Sequence, residues 1–235
     1  MVFDRRANEA NALNEVEGQL KSSRPDCPAK IHFLIKNHML DKRTKKILHF
    51  LKEIEKLKLV LRIPYLSDQK RRENDAEHSW HLAMTVLVLA NELDIKFDVS
   101  KAIKLALVHD IVEIYTGDDW HPTEADRKLK SANEEISAKK IFGMLPTDLA
   151  TEFYDLWQEY EKGTTIEAKV TKACDRLAYP LQYSVSKKIE FRRRVTDMDA
   201  RAYALPALEF NQKMIEIAES LYTEIPPYHD PKEKS

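Results

Sequence analysis

From about residue 45 to residue 222 the apolar side chains recur three and four positions apart, the spacing that lines them up on one face of an α-helix. In "TKKILHFLKEIEKLKLVL" the set Ile47, Phe50, Leu51, Ile54, Leu57 and Leu61 makes such a face. Leu82, Val86, Leu89, Ala90 and Leu93 make another after His78. The same spacing predicts helices over roughly residues 100–114, 124–143, 147–161, 166–187 and 199–222. Breakers fall between them: Pro64, Gly117, Pro122, the Gly143 to Pro146 stretch, and Gly163. Pro180 and Pro206 fall inside helical patterns and are expected to kink or interrupt them. Strand alternation is absent, so the predicted class is all-α.

Residues 1–41 fit this rhythm poorly. "RANEANALNEVEGQL" is polar and weakly helical, whereas "IHFLIKNHML" carries enough apolar side chains to dock on something. The expected division is an N-terminal extension over 1–41, helical or partly mobile, a helical domain over 42–225, and a polar tail over 226–235. Net charge narrows the partners: 38 basic and 39 acidic residues leave −1, with no bulk attraction to nucleic acid or to an anionic membrane. Two cysteines, Cys27 and Cys174, are too few for a disulfide framework or a Cys-rich zinc site. With no apolar leader and no stretch of transmembrane length, the expected compartment is the cytoplasm. The four glycines are scattered, which excludes a P-loop or a dinucleotide-binding turn. Any phosphate must then be handled by side chains or by a metal ion.

The passage "LALVHDIVEIYTGDDW" sharpens that alternative. His109 and Asp110 interrupt an apolar run, and burying them costs several kcal/mol unless something neutralises or hydrogen-bonds them. Adjacent helical residues point about 100° apart, so the pair flanks one direction. Glu113 lies four residues on, at the spacing of one helical face. Three further places carry similar residues: His78 and His81 in "ENDAEHSWHLAM", Asp118 after Gly117, and Asp175 in "KVTKACDRLAYPLQ". Each alone has a plain structural reading. A histidine opening an apolar helix is commonly a packed core residue, and Asn74, Asp75 and Glu77 suffice as helix caps. Asp110 can pair with a buried Arg or Lys, Asp118 can end a turn, and Asp175 can pair with Arg176. Together they offer imidazole and carboxylate without thiolate, a donor set suited to Mn²⁺, Fe²⁺, Co²⁺, Ni²⁺ or Zn²⁺.

The order His78, His109-Asp110, Asp175 on helices resembles the HD-domain superfamily of metal-dependent phosphohydrolases. The stretches "LKLVLRIPYL", "RRENDAEHSWHLA", "LALVHDIVEIYTGD" and "KACDRLAYPLQ" look like its branch of YfbR-type bacterial 5′-deoxynucleotidases and their eukaryotic relatives, over roughly residues 45–185. The resemblance implies a helical HD-domain bundle with His78, His109, Asp110 and Asp175 as metal ligands. It implies Glu113 and Asp118 as catalytic carboxylates, Asp118 also touching substrate, and Arg62 as the contact to substrate phosphate. Ile63 stands where bacterial relatives carry a tryptophan that helps exclude ribonucleotides, so the choice between ribose and deoxyribose stays open. The implied reaction is hydrolysis of a nucleoside 5′-monophosphate to nucleoside and phosphate, by a protein that is commonly a homodimer. Another phosphorylated nucleotide, or a catalytically silent metal-bound helical module, is the alternative. Trp120 and His121 are expected at the pocket mouth.

Overall fold

Helix α1 (Lys42–Ile54) buries Phe50, tightens into a 3₁₀ segment (Glu55–Leu59) that buries Leu57, and there gives way to a strand. In this computed structural model the described residues are 40–118, 123–186 and 197–225, with side chains in the last stretch from residue 200. The expected extension and tail, apart from residues 40 and 41, lie outside them, as do Trp120 and His121. The chain separates into two units, Met1–Lys42 and Arg43–Ser235, and the fold is that of the second.

The all-α expectation holds, with one addition. Strands β1 (Leu61–Tyr65) and β2 (Arg72–Asn74) pair antiparallel, with Leu61 opposite Asn74, Tyr65 opposite Arg72, and a register irregularity between. Pro64 reads as a breaker in sequence but sits inside β1. A two-stranded sheet leaves each strand an edge, where a missing N–H is tolerated. The hairpin is tied down at both ends: Asp75 N–H donates to the Val60 carbonyl (3.1 Å) and Gln182 Nε2 donates to the Tyr65 carbonyl (2.7 Å).

Helix α2 (Asp75–Leu89) starts immediately after β2. Asn74 Oδ1 accepts from Glu77 N–H at 3.0 Å and Glu77 Oε2 accepts from Asn74 N–H at 3.2 Å, a capping box that fixes where the helix begins. Helix α3 (Val99–Val108) is capped by Asp98, then tightens into a 3₁₀ turn (His109–Val112) before one turn of α4 (Glu113–Thr116). The expected continuous helix over 100–114 is therefore three segments. Gly117 ends the run at φ 75°, a conformation in which a side chain would be strained.

Helices α5 (Glu124–Phe142), α6 (Thr147–Lys162) and α7 (Ile166–Ser186) follow the predicted spans closely. Pro180 does not interrupt α7, and Pro206 does not interrupt α8 (Asp197–Leu208). A proline inside a helix costs about 3 kcal/mol, which tertiary burial along α7 outweighs: Val170, Ala173, Leu177 and Tyr183 are all core residues. The single helix expected over 199–222 is two, because Asn211 caps a new start for α9 (Gln212–Glu224), accepting from Lys213 N–H at 3.0 Å.

Besides one small cluster (Leu105, Tyr160 and Ala168), two large apolar cores result among the described residues. One joins α2, α3, α7, α8 and α9 through Leu82, Val86, Ala106, Leu177, Ala204 and Met214. The other joins α1, α5, α6 and the 3₁₀ turn through Phe50, Val108, Ile111, Ile141, Phe142 and Trp157. Residues 106–112 pass from the first into the second, so His109 and Asp110 sit at their junction.

Candidate metal and phosphate site

Four elements deliver the polar residues. His78 lies in the second turn of α2, where the capping box aims it inward, and is 1% exposed. His109 and Asp110 lie on the 3₁₀ turn, Asp175 lies midway along α7, and Arg62 comes from β1. His78 Nε2 is 3.1 Å from Asp175 Oδ1 and 3.6 Å from Asp110 Oδ2. His109 Nε2 is 2.9 Å from Asp110 Oδ2. His78, His109 and Asp110 each offer a donor atom within 4.8 Å of the others. The four residues singled out in sequence thus converge, with Asp175 reached through His78.

The orientation of each donor has a local cause. His109 Nδ1 is 2.8 Å from the Ala106 carbonyl, which can only accept, so the proton belongs on Nδ1 and the Nε2 lone pair faces Asp110. Asp175 Oδ2 accepts from the Tyr160 hydroxyl (2.9 Å) and from Arg176 Nη1 (2.5 Å), which leaves Oδ1 toward His78. Both Nε2 atoms are buried and neither has a hydrogen-bond partner among the described residues. A nitrogen lone pair 3.1 Å from a carboxylate oxygen is repulsive unless a cation or a proton lies between them. Two orphaned imidazole nitrogens converging with carboxylates are the donor set of a divalent ion, and the residues fit one.

Arg62 is the main positive charge opposite them. Its Nη1 lies 3.3 Å from Asp110 Oδ2 and 3.5 Å from both Asp75 Oδ1 and Asp118 Oδ2, and its Nε lies 3.5 Å from Glu73 Oε2. None of these is a short bidentate pair, so the planar fork is shared among carboxylates rather than consumed by one. Asp118, beyond Gly117, therefore joins the site through Arg62. Glu113, three residues after Asp110 across the 3₁₀ turn, groups with Asp110 and Asp75 within 4.8 Å and lines the same cavity as His109. Its Oε1 accepts from Lys130 Nζ of α5 at 2.8 Å, and its buried Oε2 has no hydrogen-bond partner among the described residues. Burial first, then Asp110 and Asp118 nearby, hold the Glu113 carboxyl well above the usual range despite Lys130.

Several residues of the site escaped the sequence. Asp75 is 0% exposed and is not the cap, a role Asn74 already fills. That redundancy was the available signal. Glu73, Lys130 and Tyr160 carried none, because β2, α5 and α6 meet only in three dimensions. His81 is not among the residues lining the cavity. Ile63 does line it, beside Arg62. The cavity measures about 360 Å³ and is lined by the carboxylates, Arg62 and Lys130 and by Tyr179, Tyr203 and Tyr222 from α7, α8 and α9. Among the described residues no helix is long and apolar enough to cross a membrane.

A family model for the HD domain matches residues 54–204. The chain is 31% identical over 149 residues to the 5′-deoxynucleotidase HDDC2 of Homo sapiens, covering 63% of this chain and 72% of that protein. It is 31% identical over 138 residues to the 5′-deoxynucleotidase yfbR of Photorhabdus temperata, covering 55% and 68% respectively. Among solved structures it is similar to a "predicted metal-dependent phosphohydrolase" from Magnetospirillum magnetotacticum MS-1. That match has 36% identity and a TM-score of 0.71, over 78% of this chain and 92% of that one.

Proposed function

The chain belongs to the HD domain family, and on that premise we propose that it is a metal-dependent phosphomonoesterase, hydrolysing (deoxy)nucleoside 5′-monophosphates to nucleoside and phosphate. The observation that carries this is the pair of buried, partnerless Nε2 atoms of His78 and His109 facing Asp110 and Asp175, with Arg62 within 3.3 Å of Asp110. In this reading His78, His109, Asp110 and Asp175 hold a divalent ion, Mn²⁺, Co²⁺, Fe²⁺, Ni²⁺ or Zn²⁺. Such an ion supplies a Lewis acid for the phosphoryl group and lowers the pKa of a water molecule.

The side chains do the rest. Arg62 turns its fork from the surrounding carboxylates to the phosphate oxygens and stabilises charge that develops on them. Glu113, fixed through Oε1 by Lys130, presents Oε2 to orient a water and accept its proton. Asp118, which lines the cavity beyond Gly117, delivers a proton to the departing nucleoside oxygen. The two apolar cores that meet at residues 106–112 exclude other water. The catalytic domain is taken as 42–225, and the protein as a cytoplasmic homodimer. The exposed, uncharged ridge of Trp80, Met84, Leu87 and Val88 on α2 supports the second point. The test is phosphate release from ribo- and deoxynucleoside monophosphates by protein stripped with chelator and resupplied with each metal. Release with at least one metal is expected, and a folded protein inactive with all of them overturns the reading.

A further inference from the structure

The cavity wall is not all charged. Ala178 of α7 and Ala200 and Ala204 of α8 line it together with the rings of Tyr179, Tyr203 and Tyr222. These rings differ in what they can offer a ligand. Tyr222 is 6% exposed and acts as wall, and Tyr179 is engaged with Tyr183 at 4.7 Å between centroids. Tyr203 remains 43% exposed, although the Arg176 guanidinium lies 4.4 Å from its ring centroid. Arg176 also donates to Asp175 Oδ2. One guanidinium therefore braces the ring and a carboxylate of the centre together, and fixes the spacing between them.

We propose that the exposed ring of Tyr203 is the platform on which the nucleobase of the substrate stacks, with Ala200 and Ala204 providing room for the heterocycle. This deepens the reading above and rests on it. A nucleoside monophosphate has a dianion at one end and a flat, weakly polar ring at the other. The cavity offers both kinds of surface, Arg62 and Asp110 together with Ala200, Tyr203 and Ala204 lining the same space. Every base has a π-face, and stacking on an aromatic side chain changes binding by about 5- to 150-fold per base. A platform of this kind tolerates all bases.

The metal-loaded full chain decides the matter when kcat/KM for dAMP is compared with that for 2-deoxyribose 5-phosphate, which lacks the base. The ratio of the two is expected to fall about tenfold or more in Tyr203→Ala, to fall likewise in Tyr203→Leu, which keeps apolar bulk, and to recover in Tyr203→Trp. An unchanged ratio overturns the platform, whether both substrates lose activity together, as a mere brace for Arg176 requires, or neither does. Wild-type protein that hydrolyses no nucleoside monophosphate overturns the phosphomonoesterase reading and the platform with it. Wild-type activity with an unmoved ratio removes the platform alone.

Discussion

Two groups of carboxylates lie side by side in this protein and are held in opposite states. Asp110 and Asp175 are buried, which alone pushes a carboxyl up, but His109 beside the first and Arg176 beside the second outweigh burial and hold both below the usual range. Glu73, Asp75 and Glu113 are buried as well, and burial prevails: Glu73 is pushed up to about 7 and Asp75 to about 8. Arg62 and Lys130 serve this second group, and their charge does not suffice. Residue type and burial are alike in the two groups, so the difference lies in the cations each can reach. Around Asp110 and Asp175 the neighbouring cationic groups outweigh burial, whereas around Asp75 and Glu113 burial and the adjacent carboxylates outweigh Arg62 and Lys130.

The sharpest way to break the contrast is at the first group. Asp175→Ala and His78→Ala are expected to bring phosphate release to the level of chelated protein and to abolish the rise in Tm on adding Mn²⁺. Loss of activity with that rise intact removes these residues from the metal site. Next in size is the support behind Asp175. Tyr160→Phe deletes only the hydroxyl that holds Oδ2, and metal affinity measured by competition with a chelator is expected to fall about 10- to 100-fold. An unchanged affinity shows that Arg176 alone orients Asp175.

The smallest effect tests the second group. Its folded pKa values lie above those of an unfolded chain, so its contribution is full at low pH and is lost as pH rises through about 7 and 8. Asp110 and Asp175 run the other way and weaken the fold only as pH drops through the acid range. His109, raised because Asp110 outweighs its burial, adds to the loss on the alkaline side, whereas His78 is lowered chiefly by burial. Metal-free protein is therefore expected to lose several degrees of Tm between pH 6.5 and 8.5. Asp75→Asn should flatten that decline, and saturating metal should stabilise more at the higher pH. A Tm of the metal-free protein that rises over this interval contradicts the dominance of burial in this group.

How much of this was legible in the sequence depends on the range of each interaction. Helical spacing located α5, α6 and α7 because amphipathic periodicity is local, written every three or four residues. His109 and Asp110 stood out because they interrupt an apolar run, a local anomaly too. The 3₁₀ turn over His109–Val112 was invisible. A helix tightens where packing on both sides demands it, and here two cores meet. Asp75 passed for a cap because the text of a chain does not say that Asn74 had already taken the role. The hairpin carrying Arg62 was missed because a five-residue strand paired with a three-residue one is too short for alternation to register.

By itself, then, the sequence determined a helical protein and the set of imidazoles and carboxylates that need a common explanation, since residue type and local period reside in the chain. Tertiary structure alone decided which oxygen of Asp175 faces His78, which carboxylates Arg62 must share, and that Tyr203 lines the same cavity. Those are distances between segments up to 141 residues apart, set by how helices pack, and side chains on different helices acquire a relative orientation only once both cores have closed.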